Sequence, residues 1–314
     1  MSQQGIVVVG STNIDLIAYA DRLPEDGETV LGTHFRQGFG GKGANQAVMA
    51  ARLLMDVAMV NAVGDDAYGT ATIANFEAEG IATDYVIRVP GSSGVAPIWV
   101  DGRGANRIIV VPGANQNVPR ELAEKAVADR RPAVVIGQFE IPQEVTAAGF
   151  RVARSIGATT ILNPAPAAVI EPALLAVVDW LVPNETEFAL IAGERLRPDP
   201  DAEAGQVQAV AERMGISVVV TLGERGALIA RPGEVPTRVP APSVTPLDTT
   251  GAGDAFVGAF AVGLARGTDP VAAARLGCVV ASDSVTRPGT QTSFVGRERA
   301  PELLTALLGD QTPA

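Results

Sequence analysis

Residues 133–162 read AVVIGQFEIPQEVTAAGFRVARSIGATTIL, and they indicate the architecture of most of the chain. Two short apolar runs, at 133–137 and 159–162, predict buried strands, and residues 142–155 between them predict a helix. A strand, a helix and a second strand in this order form a parallel pair with the helix packed against it. This unit therefore predicts an α/β protein.

The same alternation continues on both sides of this unit. Further strands are predicted at 6–10, 56–61, 180–182 and 217–221, with a hairpin-like pair around Gly233. Further helices are predicted at 43–54, 69–79, 119–129, near Pro172, at 185–192 and 202–214, and from Ala252, Pro270 and Ala300. We expect a doubly wound, mostly parallel sheet with helices on both faces and a ligand crevice at the carboxyl ends of its strands.

Alternating segments in the N-terminal half do not fit that parallel pattern. They lie at 14–20, 29–35, 95–100 and 107–111, and the last two flank a turn at 101–104. We expect them to form a small β-sheet inserted at about 14–38 and 94–112, which could cover the crevice as a lid. The chain, residues 1–314, is then interpreted as one domain.

Composition narrows the class of protein and of partner. The chain has 47% hydrophobic residues, enough for a large core, and a formal net charge of −11, which repels nucleic acid and anionic membranes. We therefore expect no nucleic-acid or membrane partner. The lone Cys278 forbids an internal disulfide, and no basic or long apolar leader precedes the first strand, so a cytoplasmic protein is predicted.

Residues 248–256, DTTGAGDAF, precede an apolar helix and carry the strongest chemical signal. Small residues at Gly251, Ala252 and Gly253 would let the N–H groups of the first helical turn bind a developing negative charge, as an anion hole does. Asp254 would then accept the proton of an attacking hydroxyl. The alternative is an ordinary glycine turn in which Asp254 only stabilises the helix dipole.

Residues 38–47, GFGGKGANQA, form a glycine-rich turn before a helix but lack the Gly-Lys-Ser/Thr ending of a phosphate-binding P-loop. Gly41 would permit close approach of a ligand, and Lys42 and Asn45 offer the hydrogen bonds that sugar hydroxyls need. Taken alone, the motif could equally be a plain helix start.

Polar residues also follow several strands. Asn13 and Asp15 come after the first strand, where a carboxylate can accept two neighbouring hydroxyls, and residues 138–140, QFE, follow the strand at 133–137. These positions predict a site for a small polyol.

Two further segments suit a nucleotide. Asn184 could be a plain N-cap and Glu187 its capping-box partner, although a carboxylate there also suits Mg²⁺ held through water. Residues 222–226, LGERG, could be a plain β-turn, or Gly223 and Gly226 could pass beneath nucleotide phosphates.

In order and spacing, these segments together resemble the ribokinase family of carbohydrate kinases along almost the whole chain. They are the Asn13 and Asp15 pair, GGKGANQA at 40–47, NPAP at 163–166, PNETE at 183–187 and TTGAGD at 249–254. The resemblance implies a nucleotide-binding α/β domain with a β-sheet lid, and a homodimer in which the lids of two subunits pack together.

The resemblance also assigns roles to individual residues. It implies sugar binding by Asn13, Asp15, Gly41, Lys42, Asn45 and Glu140, with Asp254 as the catalytic base and Gly251, Ala252 and Gly253 as the anion hole. It implies that ATP is bound near Asn184, Thr221, Gly223, Gly226 and Gly253, and Mg²⁺ near Glu187. Activation by K⁺ is implied, with the ion held by Asp248, Thr250, Ser284, Arg287, Gly289 and Ser293.

The predicted function is ATP-dependent phosphorylation of the terminal (5-) hydroxyl of D-ribose to ribose 5-phosphate. A kinase for 2-deoxyribose, fructose or a nucleoside on the same fold is the alternative. A dinucleotide-dependent oxidoreductase fails because no Gly-x-Gly-x-x-Gly follows the first strand. A catalytically inactive sugar-binding regulator is disfavoured because Asp254 and the glycines before it are intact.

Overall fold

The computed structural model describes residues 5–308, so the predicted domain limits at 1 and 314 lie outside the described residues. The strands are β1 (Ile6–Val9), β2 (Asn13–Tyr19), β3 (His34–Gly40), β4 (Val57–Gly64), β5 (Ala82–Val89), β6 (Val95–Val100), β7 (Asn106–Ile108), β8 (Val134–Gly137), β9 (Thr159–Leu162), β10 (Trp180–Leu181), β11 (Ser217–Thr221), β12 (Ala227–Ala230) and β13 (Thr237–Val239). The helices are α1 (Lys42–Arg52), α2 (Ala67–Ala78), α3 (Arg120–Arg130), α4 (Gln143–Ser155), α5 (Pro172–Leu175), α6 (Glu185–Ala192), α7 (Pro200–Met214), α8 (Ala252–Ala265), α9 (Pro270–Ser284) and α10 (Ala300–Leu308).

The main sheet formed by these residues has nine strands in the order β13-β12-β11-β10-β9-β8-β1-β4-β5. In this sheet order, all neighbouring strands between β11 and β5 pair in parallel, and β12 and β13 add an antiparallel edge. Every residue of β1 and of β4 is buried, as expected for parallel strands covered on both faces. The predicted doubly wound α/β fold is confirmed.

The two faces of the sheet contribute to two separate apolar clusters. Ile6 and Val8 of β1 belong to the cluster packed under α1, α8, α9 and α10, whereas Val7 and Val9 belong to the cluster packed under α3, α4 and α7. Successive side chains of a strand point to opposite faces, so a continuous apolar run can serve both layers. The helices thereby fix the sheet from both sides.

A separate four-stranded sheet has the order β3-β2-β6-β7, so the predicted small sheet is present. The strand predicted at 29–35 is wrong over most of its length, because β3 begins at His34. Its partner β2 ends at Tyr19, which pairs with His34, so residues 29–33 have no strand beside them. The alternation of apolar and polar residues extends over residues 29–33, although the pairing of β3 with β2 ends at His34.

Strand β5, which forms the edge of the main sheet beside β4, was not predicted from the sequence. Of its eight residues only Tyr85 is buried, so the apolar alternation that would predict a strand is weak.

No helix within residues 5–308 combines the length and the apolar character needed to cross a bilayer.

The fold gathers the polar strand ends at one edge of the main sheet. Because β1, β8, β9, β10 and β11 run in parallel, the residues that follow them emerge on the same side. The first turns of α1 and α8 reach the same edge, where Asn45 and Asp254 are hydrogen-bonded to each other. This edge carries the candidate site.

Candidate active site

Asp254 lies in the first turn of α8 and is only 7% exposed. Its Oδ2 accepts a hydrogen bond from Asn45 Nδ2 at 2.8 Å, and its Oδ1 accepts one from Gln46 Nε2 at 3.0 Å. Burial raises the pKa of Asp254 above its ordinary value, although Lys42 and the two amide hydrogen bonds act in the opposite direction. A buried carboxylate with a raised pKa is a stronger proton acceptor than a surface aspartate.

The backbone before Asp254 has the form of an anion-binding turn. Gly251 has φ of 77°, and a Cβ there would come within 2.6 Å of Thr290 Cγ2, so the position requires glycine. Within residues 5–308, the N–H groups of Gly253 and Asp254 donate to no protein acceptor. Free N–H groups at a helix start, together with the helix dipole, favour a negative charge at this point.

A cavity of about 160 Å³ opens directly in front of these groups. It is lined by Lys42, Asn163, Ala165, Val182, Asn184, Glu187, Thr221, Gly251, Gly253, Asp254 and Val257. Residues predicted for the sugar, the anion hole, ATP and Mg²⁺ therefore share one small, polar space.

Lys42 and Glu140 are held together at the start of α1. Glu140 Oε2 accepts hydrogen bonds from the Lys42 backbone N–H at 2.9 Å and from Ser11 Oγ at 2.5 Å. Burial lowers the pKa of Lys42, but the charges of Asp254, Glu140 and Glu187 outweigh it and leave the pKa raised. Lys42 therefore stays protonated and balances the surrounding carboxylates.

Asp15, on β2 of the small sheet, faces the same group of charges. Burial, together with the charges of Glu140 and Asp254, raises the pKa of Asp15 to about 7. Its carboxyl group therefore changes charge near neutral pH. Asp15 thus adds a pH-dependent charge beside Glu140 and Asp254, two of the carboxylates that act on Lys42.

Asn13 and Gly41 complete the predicted sugar side. Asn13 is 3% exposed, and its Oδ1 accepts a hydrogen bond from Asn115 Nδ2 at 2.9 Å. Asn115 also bonds the backbone N–H and carbonyl of Thr12, so it fixes the chain between β1 and β2. Gly41 precedes α1 with φ of 89°, and a Cβ there would lie 2.7 Å from Thr12 Cα. The two segments approach each other closely only because residue 41 is glycine.

Asn184 and Glu187 form the capping box that the sequence left as one alternative. The Asn184 side chain accepts from the Glu187 N–H at 2.8 Å, and Glu187 Oε2 accepts from the Asn184 N–H at 2.9 Å. The same two residues line the small cavity. Burial raises the pKa of Glu187, which the Asn184 hydrogen bond and Lys42 partly offset. The cap fixes the Glu187 carboxylate where it reaches the cavity.

A second, larger cavity of about 750 Å³ adjoins the first and shares Thr221 and Gly253 with it. Its wall contains Thr221, Gly223, Glu224, Arg225, Gly226, Ala241, Pro242, Ser243, Val244, Pro246, Thr249, Ala252, Gly253, Phe256, Cys278, Ala281, Ser282 and Val285. The segment after β11 is a single 3-10 turn, and it places both Gly223 and Gly226 in this wall. Four residues predicted to bind ATP thus line one continuous space.

Asp248 links the two loops predicted to hold a monovalent cation. Its Oδ1 accepts from the Thr250 N–H at 3.0 Å, and its Oδ2 accepts from the Gly289 N–H at 2.8 Å. Burial raises the pKa of Asp248, but the hydrogen bonds from Thr250 and Gly289 outweigh it and lower the pKa below its ordinary value. This carboxylate is therefore ionised at neutral pH.

The other predicted cation ligands lie on the loop after α9. The Ser284 carbonyl accepts the Arg287 N–H at 3.2 Å, and the Ser293 carbonyl accepts from the Arg287 guanidinium at 2.7 Å. Within residues 5–308, the carbonyl oxygens of Arg287 and Gly289 accept no protein hydrogen bond. The loop therefore presents free carbonyl oxygens as well as occupied ones.

Several buried amide side chains of the site had no role predicted from the sequence. Gln46, Gln138 and Asn163 were inside segments that it had singled out, so the signal was present but unassigned. Asn115 and Gln291 carried no signal, because each reaches the site only through contacts distant in sequence. The structure connects both to predicted sugar-binding residues, Asn13 and Asn45.

Residues 3–295 match the sequence profile described as pfkB family carbohydrate kinase. The chain belongs to this family. It is 39% identical over 303 residues to deoxyribokinase of Salmonella typhi, covering 95% of this chain and 98% of that protein. It is also 39% identical over 303 residues to ribokinase of Bacillus subtilis, covering 96% and 99%.

Among solved structures, ribokinase of Arabidopsis thaliana complexed with ribose and ATP superposes with a TM-score of 0.86 at 31% identity, covering 96% of this chain and 99% of that one. The resemblance to ribokinases is therefore confirmed in both sequence and fold. This member of the pfkB family is an ATP-dependent carbohydrate kinase.

Proposed function

We propose that this kinase transfers the γ-phosphoryl group of ATP to the terminal (5-) hydroxyl of D-ribose and produces ribose 5-phosphate. The observation that carries the proposal is the position of Asp254, which is buried, hydrogen-bonded and next to the free N–H groups of α8. A base and an anion-binding turn beside one small polar cavity are the parts that phosphoryl transfer to a hydroxyl requires.

The sugar is proposed to lie between the small sheet and the start of α1. Asn13, Asp15 and Glu140 offer oxygen acceptors, and Lys42 and Asn45 offer donors, so ring hydroxyls find both kinds of partner. Gly41 brings the backbone close enough for these side chains to converge. Closure of the small sheet over the crevice would exclude water, which otherwise would accept the phosphoryl group.

Asp254 is proposed to take the proton of the terminal hydroxyl as that oxygen attacks. Asn45 and Gln46 each occupy one carboxylate oxygen, and each oxygen keeps a further lone pair for the substrate. The N–H groups of Gly251 and Gly253 and the Lys42 ammonium would stabilise the negative charge that develops on the transferred group, whereas the Ala252 N–H already donates to the Thr249 carbonyl at 3.3 Å.

ATP is proposed to extend from the small cavity into the larger one. Asn184, Thr221 and Gly253 lie at the phosphate side, and Gly223 and Gly226 lie beside the larger, mostly apolar cavity that suits a nucleoside. The glycines let the chain run close to the nucleotide without a side chain between them.

The donor set at Glu187 fits Mg²⁺ held through water. Within residues 5–308 there is no group of three or more Asp, Glu, His or Cys side chains able to enclose a metal, and Mg²⁺ with a nucleotide typically uses only one or two carboxylates plus phosphate oxygens. Glu187 lines the small cavity and is oriented by its cap. When bound there, the ion would neutralise phosphate charge.

The loops around Asp248 fit K⁺, which prefers several neutral oxygens and little charge. Asp248 supplies one carboxylate, and the carbonyls of residues 284, 287 and 289 with Thr250 supply neutral oxygens. The Ser293 carbonyl, which was also predicted, already accepts two hydrogen bonds from the Arg287 guanidinium. We propose that the cation fixes the two loops that support Gly251, since Thr290 packs against that glycine. Its effect on turnover would then be indirect.

A second candidate substrate is 2-deoxyribose. The chain is equally similar to a deoxyribokinase and to a ribokinase, so overall similarity does not choose between the two sugars. The sugars differ by one hydroxyl, and a site built to hydrogen-bond that hydroxyl discriminates strongly against the analogue lacking it. Asp15, with its two acceptor oxygens, is our candidate for this contact.

A coupled assay of ADP release tests the proposal. D-ribose, 2-deoxyribose, fructose and adenosine would each be offered with saturating ATP and Mg²⁺, with and without K⁺. We expect the largest kcat/KM for D-ribose and an increase on adding K⁺. Preference for 2-deoxyribose would support the second candidate, and absence of turnover with every acceptor would contradict the proposal.

We also propose a cytoplasmic homodimer in which the small sheets of two copies pack together. Phe35 on β3 and Ile108 on β7 are 60% and 51% exposed, which leaves apolar surface on this sheet uncovered in one copy. Light scattering should give a dimer for the wild type and a smaller species for Phe35→Ser. A monomer in both cases would contradict the dimer.

A further inference from the structure

Gln46 is a fully buried polar side chain on α1 beside the reacting carboxylate. Its Nε2 donates to Asp254 Oδ1 at 3.0 Å and to Asn163 Oδ1 at 3.1 Å. Its Oε1 accepts from Gln138 Nε2 at 2.7 Å. Gln46 is 0% exposed and does not line the small cavity, so it reaches the substrate only through Asp254.

The neighbours of Gln46 allow its amide a single orientation. An ionised Asp254 can only accept hydrogen bonds, so it requires the NH₂ group. Asn163 Nδ2 donates to the Val182 backbone carbonyl at 2.9 Å, which turns the Asn163 oxygen towards Gln46. Gln138 presents a donor to the Gln46 oxygen. A flipped Gln46 would place its oxygen against Asp254 and Asn163 and its NH₂ against the Gln138 NH₂.

The side chain of Gln138 has a buried oxygen that lowers the stability of the folded protein. Its Oε1 is buried and has no hydrogen-bond partner within residues 5–308, and Gln138 itself is 0% exposed. Burying a carbonyl oxygen without a hydrogen-bond partner lowers the stability of the folded state. An apolar side chain would avoid that loss, so the donor that Gln138 directs to Gln46 is the feature that distinguishes glutamine at this position.

A second series of amides ends at the other oxygen of Asp254. Asn75 Nδ2 donates to Gln291 Oε1 at 3.1 Å, Gln291 Nε2 donates to Asn45 Oδ1 at 3.1 Å, and Asn45 donates to Asp254. Both carboxylate oxygens therefore face an N–H whose direction is fixed by a further amide. Rotation of the carboxylate would break both contacts together.

We propose that Gln46 is a positioning residue for Asp254, held in its working orientation by Gln138 and Asn163. Gln46 fixes the rotation of the carboxylate and stabilises its ionised form, so that the free lone pairs face the attacking hydroxyl. This inference rests on the proposed role of Asp254 as the base. It adds that the base depends on a buried amide that never meets the substrate.

The pH profile of Gln46→Met tests the inference, because methionine has a similar volume but no N–H. Loss of a donor to the carboxylate favours its protonated form, so the acidic limb of kcat/KM should move to higher pH by about one unit, a tenfold change in proton affinity. At pH 7 we expect a lower kcat with the KM of sugar and ATP changed less than about twofold.

Gln138→Met provides a second variant that leaves the Gln46–Asp254 contact in place. We expect a shift of the acidic limb in the same direction but smaller, because the change acts through Gln46. The matched control is Gln143→Met, which loses hydrogen bonds to the Val169 carbonyl and from the Glu171 N–H outside the crevice. Its pH profile should equal that of the wild type. Thermal melts establish that each variant is folded.

A loss of activity in Gln46→Met that is equal at every pH would overturn the inference, since it would show a structural role alone. If Gln46→Met does not fold, an unshifted limb in Gln138→Met would overturn it. Asp254→Asn, measured beside these variants, tests the proposed base separately from its proposed positioning residue, Gln46. Turnover by Asp254→Asn would remove the proposed base, whereas an inactive Asp254→Asn with an unshifted Gln46→Met would remove only the positioning role.

Discussion

The two ends of the crevice differ in size and in chemistry. The cavity in front of Asp254 measures about 160 Å³ and contains Lys42, Glu187 and Asp254 in its wall. The adjoining cavity measures about 750 Å³, and its wall combines alanine, proline and valine residues and the buried Phe256 and Cys278 with two charged residues, Glu224 and Arg225. The buried charges lie at the small end, whereas the two charged residues of the large end are exposed and the rest of its wall is mainly apolar.

This difference indicates that the two ends of the crevice have different roles in the reaction. Buried charges are unfavourable unless each is paired and hydrogen-bonded, and the small end meets that condition through Lys42 and the amides around Asp254. In the proposed arrangement the large end needs only to bury the nucleoside of ATP, which apolar surface does without strict geometry. We therefore expect substitutions at the small end to alter the chemical step, and those at the large end to alter nucleotide affinity.

The largest effect is expected from Asp254→Asn. The amide cannot accept the proton of the hydroxyl, so kcat should fall by about a thousandfold, while binding of sugar and ATP persists. Measurement needs steady-state ADP release for turnover and calorimetry for binding. Asp129→Asn, which changes an exposed carboxylate on α3, serves as the matched control. Wild-type turnover by Asp254→Asn would exclude it as the base.

Lys42→Met should produce the next largest effect. It removes the cation that faces Asp254, Glu140 and Glu187, so kcat/KM should fall by about a hundredfold and the acidic limb should move to higher pH. The chain has one other lysine, Lys125, which pairs with Asp129 on the surface, so Lys125→Met is a matched control. Equal kinetics in the two variants would mean that the small end does not depend on its buried cation.

The charged residues at the small end of the crevice could be predicted from the sequence. Asp254, Lys42 and Glu187 belong to segments whose glycines or helix starts are visible locally, and parallel strands bring their ends to one edge. The doubly wound sheet followed from the same local patterns, because each buried strand is a continuous apolar run. Local signals thus predicted the fold, and they predicted the segments that meet at the small cavity.

What the sequence could not supply are contacts between distant side chains. Gln291 reaches Asn45, and Asn115 reaches Asn13, across separations that no local pattern records. The start of β3 depends on where its partner β2 ends, and β5 lies at the sheet edge, where only Tyr85 of its eight residues is buried. These features depend on tertiary pairing rather than on local propensity.

Asp15→Asn tests the electrostatics of the small end through protein stability. The pKa of Asp15 is raised from 3.8 to about 7, so the folded protein binds this proton more tightly than the unfolded chain. The stability it contributes is complete below pH 3.8 and is lost as pH rises to about 7, at about 1.4 kcal/mol for each unit. Asparagine does not titrate, so this loss should be absent in the variant.

Urea unfolding of both proteins at pH 5.5 and pH 8 measures the effect. Between these values the difference in unfolding free energy should change by about 2 kcal/mol in favour of Asp15→Asn. Asp26→Asn, at an exposed position between β2 and β3, is the control and should leave the difference constant. A pH-independent difference for Asp15→Asn would mean that the site does not hold its carboxyl in the protonated form.

The smallest effect is expected at the apolar end, from Ala281→Phe on α9. Ala281 lines the larger cavity and not the smaller one, so the added ring occupies space proposed for the nucleoside and leaves the charged groups in place. The KM for ATP should rise by about tenfold, a change of about 1.4 kcal/mol, with kcat and the KM for sugar nearly constant. Ala272→Phe, on the same helix but outside the cavity, is the control for the added bulk. A fall in kcat with an unchanged KM for ATP would contradict the division of roles, because it would show that the apolar end also positions the reacting groups.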